Sequence, residues 1–192
     1  MAFVANIKWS HRARRLWATI LTLMFLGAGI MAQEPTASEQ QVKAAFLVNF
    51  PKYVDWPAES FAETNSPIVI AVLGETKVAD ELQKMIADRT ANGRKIVLKQ
   101  LASGEESGAC QILFVAATEQ AHLPDVLAKI KGASVLTVGE SDDFLDGGGI
   151  INLTRRNRKI ALVVNLTAAD HARLKISSKL LSVAEVVKGK AN

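Results

Sequence analysis

The side chains able to do chemistry are few in this 192-residue chain, and they are scattered. His122 and His171 lie far apart, and neither has a His or Cys beside it at the short spacing a zinc site needs. Asp142 and Asp143 are adjacent, so on a helix they point to different faces and cannot share a proton as an acid/base pair. Gly147-Gly148-Gly149 has the flexibility to cradle an anion. It precedes a strand-like segment rather than a helix, which leaves a plain turn as the simpler reading. No P-loop, dinucleotide-binding glycine fingerprint or G-x-S-x-G elbow occurs. The expectation is a protein without a catalytic residue set, metal or cofactor, one that acts by binding.

Two clusters have the composition of binding surfaces. Asn49, Lys52, Tyr53, Asp55, Trp56 and Pro57 gather aromatic and polar groups where a first helix should end. Aromatics at such an exit either anchor a partner or close the core. Asn49, Lys52, Tyr53 and Trp56 are the candidate partner-binding residues. In the second cluster Arg173, Lys175, Ser177 and Ser178, with Lys179, set hydroxyls among cations at a helix start. They either hold a carboxylate or phosphate, or simply cap the helix amid solvated cations. Asn152-Leu-Thr154 and Asn165-Leu-Thr167 match the glycosylation pattern but fall in predicted strands, where they read as chance.

The elements that must position these groups follow from periodicity. From Ser38 to about Asp55 the pattern is helical: Ser38 can cap, Glu39 suits the positive end of the dipole, and Val42, Ala45, Phe46, Phe50 and Tyr53 form one apolar stripe that Leu47 and Val48 widen. Pro51 predicts a kink or stop near Phe50. Short apolar runs at 68–73, 112–115 and 135–138 read as strands buried on both faces, the mark of a parallel sheet, and Ile96–Leu98 is a further candidate. Helical stripes separate them: Val78, Leu82, Met85 and Ile86 in one, Leu123, Val126, Leu127 and Ile130 in the next. Repeated strand-helix-strand order predicts an α/β domain of βαβ units. Further on, Ser141–Phe144 can start a short helix, and 150–153 with 160–164 can pair as a hairpin. Thr167 and Asp170 resemble a capping box. A last helix from about Ser177 is expected to bury Leu180, Leu181, Ala184 and Val187.

The N-terminus reads as an export signal. Lys8, Arg12, Arg14 and Arg15 precede an apolar stretch from Leu16 to Ile30, and small Ala32 offers a cleavage position. That stretch of about 15 residues is short against the roughly 20 a spanning helix needs. The expected organisation is a signal peptide at 1–32 and one α/β domain at 33–192. Four of the chain's 23 Lys and Arg and none of its 19 Asp and Glu lie before residue 33, leaving 19 of each in the mature part. That balance gives no reason to expect a nucleic-acid partner. Cys110 is the only cysteine, so no disulfide can form within the chain, and its place before Ile112–Val115 suits a buried small hydrophobe.

Several stretches resemble the periplasmic YfiR/HmsC-type family. Gln41-Val-Lys-Ala-Ala-Phe-Leu-Val-Asn-Phe50 followed by Lys52-Tyr-Val-Asp-Trp-Pro57 is similar to the family's opening signature. Cys110–Phe114, Val135–Gly139, Gly148–Ile150 and Leu174–Leu181 follow in the family's order. The resemblance implies a periplasmic repressor that binds the periplasmic domain of an inner-membrane diguanylate cyclase, lowering cyclic di-GMP and biofilm formation. It also implies a homodimer, sequestration by an outer-membrane lipoprotein, and stabilising or redox-sensing disulfides. The chain departs on the last point, since Cys110 has no second cysteine to join, and again at Pro51 within the signature helix. The alternative expectation is a solute-binding module with its crevice at the carboxyl strand ends, near Gly74, Ala116–Thr118 and Gly139.

Overall fold

Ser38 starts the first helix with a reciprocal cap. Its Oγ accepts from Gln41 N at 3.2 Å, and Gln41 Oε1 accepts from Ser38 N at 2.9 Å. A computed structural model describes residues 37–105 and 109–189, so the export signal expected at 1–32 lies outside the described residues. Helix α1 (Glu39–Asn49) ends where Pro51 requires, and Phe50–Lys52 continues as one 3₁₀ turn. The chain then enters β1 (Val54–Asp55), which pairs antiparallel with β9 (Lys175–Ile176) in a small ribbon.

The main sheet is mixed and mostly parallel. It contains β2 (Ile68–Leu73), β3 (Thr90–Ala91), β4 (Arg94–Leu101), β5 (Ile112–Val115), β6 (Leu136–Gly139), β7 (Ile151–Arg156), β8 (Lys159–Asn165) and β10 (Glu185–Val187). Their order across the sheet is β10-β8-β7-β6-β5-β2-β4-β3, antiparallel only at β7/β8 and β3/β4. The continuous apolar runs account for this. In β2, Ile70 and Val72 enter one core, while Ala71 and Leu73 enter the other; Ile112 and Phe114 against Leu113 and Val115 divide β5 the same way. The first core is covered by α1, α2 (Lys77–Met85), α4 (Leu166–His171) and α5 (Ser178–Leu181). The second lies under α3 (Leu123–Lys129) and Phe144, with Cys110 buried in it. The expected α/β domain with a C-terminal hairpin is what forms.

Five local expectations are corrected. Of the stripe, Phe50, Leu47 and Val48 are buried as expected, but Val42, Ala45 and Phe46 are only half-buried and Ala44 joins the core. Helix α4 starts one residue before Thr167, because Asn165 Oδ1 accepts from Ala168 N at 3.1 Å and so outcompetes the predicted cap. The last helix is a single turn. Glu185–Val187 leaves it to pair parallel with Val163–Asn165, an extended state that suits two adjacent valines. Residues 141–148 form hydrogen-bonded turns in place of a short helix. The candidate strand at Ile96–Leu98 is longer, and it turns back on β3 through Asn92 and Gly93, both at positive φ.

Phe144 explains two of the glycines. Its ring is 1% exposed and sits between Gly139 and Gly149, where a Cβ at either would meet a ring carbon at 2.2 Å. Gly139→Ala is therefore expected to lose about 1–3 kcal/mol through overpacking. Urea denaturation will measure the loss, and Phe144→Leu in the same chain should recover part of it. Undiminished stability of Gly139→Ala would contradict this packing.

Candidate functional site

Helix α1 is apolar on two sides, and its own fold covers only one. The covered side carries Ala44, Leu47 and Val48. The other carries Val42, Ala45, Phe46 and Asn49 into an apolar groove of about 730 Å³. Phe50 and Tyr53 continue this wall past the helix end; Met85 of α2 with Leu180 and Val183 at α5 supplies the rest. The Phe46 and Phe50 rings stack with centroids 6.0 Å apart, which stiffens that wall. Val183, at the groove's edge, is 71% exposed.

What holds α1 in this roll is a buried cation. Lys43 Nζ donates to Glu39 Oε1 at 2.6 Å and to Glu140 Oε2 at 2.7 Å, and its side chain is 8% exposed. Glu140 follows β6 directly and also accepts from Ala117 N at 3.0 Å, while Arg155 lies 3.6 Å from Glu39. Burial opposes the charge on Lys43. Hydrogen bonds and attraction from Glu140 and Glu39 more than offset it, so its pKa stands above the usual 10.5.

The two surface clusters read from the sequence prove to be neighbours. β1 and β9 place Asp55 opposite Lys175, and Ser177 N donates to Tyr53 O at 2.8 Å. Asn49 and Tyr53 line the groove, and Lys52 Nζ reaches Asn49 Oδ1 at 3.2 Å on its rim. Trp56 does not line it: its indole N–H donates to Gln111 O at 3.2 Å and its ring packs on the core. Ser177 Oγ accepts from Lys179 N at 3.1 Å, the capping role, and Ser178 opens α5 exposed to solvent. Arg173 stands elsewhere, donating to Glu59 at 3.1 Å and to Gly132 O at 3.3 Å. Arg173, Lys175, Ser177 and Ser178 thus do not converge on one point.

At the carboxyl strand ends the switch point lies between β2 and β5, since the chain leaves β2 toward β4 on one side and β5 on the other. Side chains fill part of it. Glu119 backs Gly74, where a Cβ would sit 2.7 Å from Glu119 Cγ, and Glu140 takes the Ala117 N–H. Glu119 is itself held by Ser103 Oγ at 2.8 Å and by His122 Nδ1 at 3.3 Å. Beside them a cavity of about 170 Å³ remains, lined by Leu73, Leu101, Ser103, His122 and Lys129. Among the described residues no group of three His, Cys, Asp or Glu could hold a metal ion.

Sequence reasoning missed Lys43, Glu140, Met85, Leu180 and Val183. Lys43 carried a signal, a cation inside the apolar run from Val42 to Val48. A family model described as YfiR/HmsC-like matches residues 40–185, which runs from α1 into β10. No curated protein matches the chain.

Lys43→Met would leave Glu39 and Glu140 partly buried without their cation, at an expected cost of about 3 kcal/mol. Because the folded pKa is raised, the lysine's contribution is complete below pH 10.5 and is lost as pH rises through the folded value. The stability gap between wild type and variant, followed by denaturation, should stay flat from neutral to mildly basic pH and narrow above 10.5. A gap that closes near neutral pH would refute this assignment.

Proposed function

The chain belongs to the YfiR/HmsC-like family, and on that premise we propose that it is a periplasmic regulator acting by protein binding. Its target is the periplasmic domain of an inner-membrane diguanylate cyclase, which it holds inactive, so that cyclic di-GMP and biofilm formation fall. An outer-membrane lipoprotein competes for it, and it works as a homodimer. Residues 1–32 export it and are removed near Ala32, which leaves the charge-balanced body at 33–192 in the periplasm.

One observation carries this reading beyond family membership. The groove of about 730 Å³ is apolar, is walled by the helix that opens the family match, and is flanked by an exposed valine. Exposed apolar surface rimmed by polar groups is what a protein–protein contact requires. The groove also absorbs Asn49 and Tyr53, with Lys52 at its edge. Trp56 lies outside the groove, bonded to Gln111 O.

Deletion of the gene is expected to raise cellular cyclic di-GMP, and the wild-type chain to restore it. Val183→Glu should fail to restore it while keeping the wild-type melting temperature, because residue 183 is exposed. Affinity capture with the purified mature domain from solubilised inner membranes should recover a cyclase. An unchanged cyclic di-GMP level on deletion would sink the proposal.

A further inference from the structure

The groove has a shape and a charge that narrow its occupant, given the reading of the protein as a partner-binding regulator. We propose that it receives an amphipathic helix of the partner, bearing an apolar stripe flanked by acidic side chains.

Shape comes first. The eleven residues of α1 span about 16 Å at 1.5 Å per residue. Val42, Phe46 and Asn49 mark successive turns along that length on the groove side, and Tyr53 extends the row beyond the helix end. A rod laid alongside would offer residues at i, i+3 or i+4, and i+7 to this row, the usual geometry of a helix in a groove. No β-strand edge of the sheet lines the groove, so pairing by strand addition is not available there. A lipid surface fits poorly as well. Membrane-surface binding uses an apolar face that projects into the headgroups, whereas Val42, Ala45 and Phe46 line a concavity.

Charge comes second. Lys179 is the one charged residue in the groove's lining, and Lys52 stands beside Asn49. Among the described residues neither lysine forms an ion pair. At the other end Glu81, in contact with Gln41, is neutralised by Lys84 at 2.7 Å. The lining therefore carries one unpaired positive charge, Lys179, with Lys52 beside its rim. Complementary charge at such a rim selects the partner and speeds encounter more than it adds raw affinity.

The test uses the purified mature domain and two fluorescein-labelled helical peptides of about 16 residues, four turns long. Both share one leucine stripe; one is flanked by Glu and the other by Lys. Fluorescence anisotropy should show saturable binding of the Glu peptide, at least about tenfold tighter than the Lys peptide at low salt. Lys179→Glu combined with Lys52→Glu should reverse that preference. Val183→Glu should weaken both peptides, with the fold checked by circular dichroism. Binding of neither peptide, or equal binding of both, overturns the proposal. So does stronger binding to phosphatidylglycerol vesicles that Val183→Glu abolishes, or sedimentation showing that the groove is buried between two copies. If the peptides behave as stated but deletion leaves cyclic di-GMP unchanged, the groove assignment stands and the cyclase reading falls.

Discussion

The roll of α1 about its own axis decides which of its apolar residues become core and which become surface. Lys43 sets that roll. A lysine ammonium held between Glu39 and Glu140 at 2.6 and 2.7 Å, with its side chain 8% exposed, cannot swing outward without stranding two carboxylates. Leu47, one turn on from Lys43, is then carried into the core, and Ala44 and Val48 flank it on that side. Val42, Ala45 and Phe46 are carried the other way. Replacing the whole cluster of Lys43, Glu39 and Glu140 by apolar side chains would change stability little, whereas removing the lysine alone strands two carboxylates.

The same carboxylate links the helix to the sheet. Glu140 stands at the end of β6 and takes both Lys43 and the Ala117 N–H, so α1, β6 and the segment after β5 meet at one side chain. This fills part of the carboxyl edge of the sheet, where an α/β fold usually binds its ligand. Glu119 fills the adjoining position against Gly74. The cavity left at that edge is about 170 Å³, against about 730 Å³ for the apolar groove on the helical side. Phe144, set between Gly139 and Gly149, completes the core on the opposite face of the sheet.

The strands were legible because burial on both faces leaves no polar alternation: 68–73 and 112–115 appear in the structure as read, and 135–138 within one residue. Pro51 was equally informative, ending α1 one residue before Phe50. The C-terminus was not. Leu180, Leu181, Ala184 and Val187 fit a helical period, yet Val186 and Val187 extend to pair with β8, a partner no local pattern reveals. The α1 stripe was partly misread for a related reason. Periodicity finds an apolar face without saying which part of it the fold covers, and here the Leu47 and Val48 side did the packing. The two surface clusters were visible in composition, but their meeting through β1 and β9 is a long-range pairing. The groove joins residues from 37 to 183, and only its α1 wall could be read locally.

If the groove beside α1 is where this protein meets a membrane partner, site-specific photo-crosslinking in living cells will reveal it, with a photoreactive phenylalanine at Val183 in one strain and at Asp125 of α3 in another. An adduct with a membrane-bound cyclase is expected from position 183 and none from position 125. Adducts from 125 alone, or from neither position in cells where deletion raises cyclic di-GMP, would contradict it.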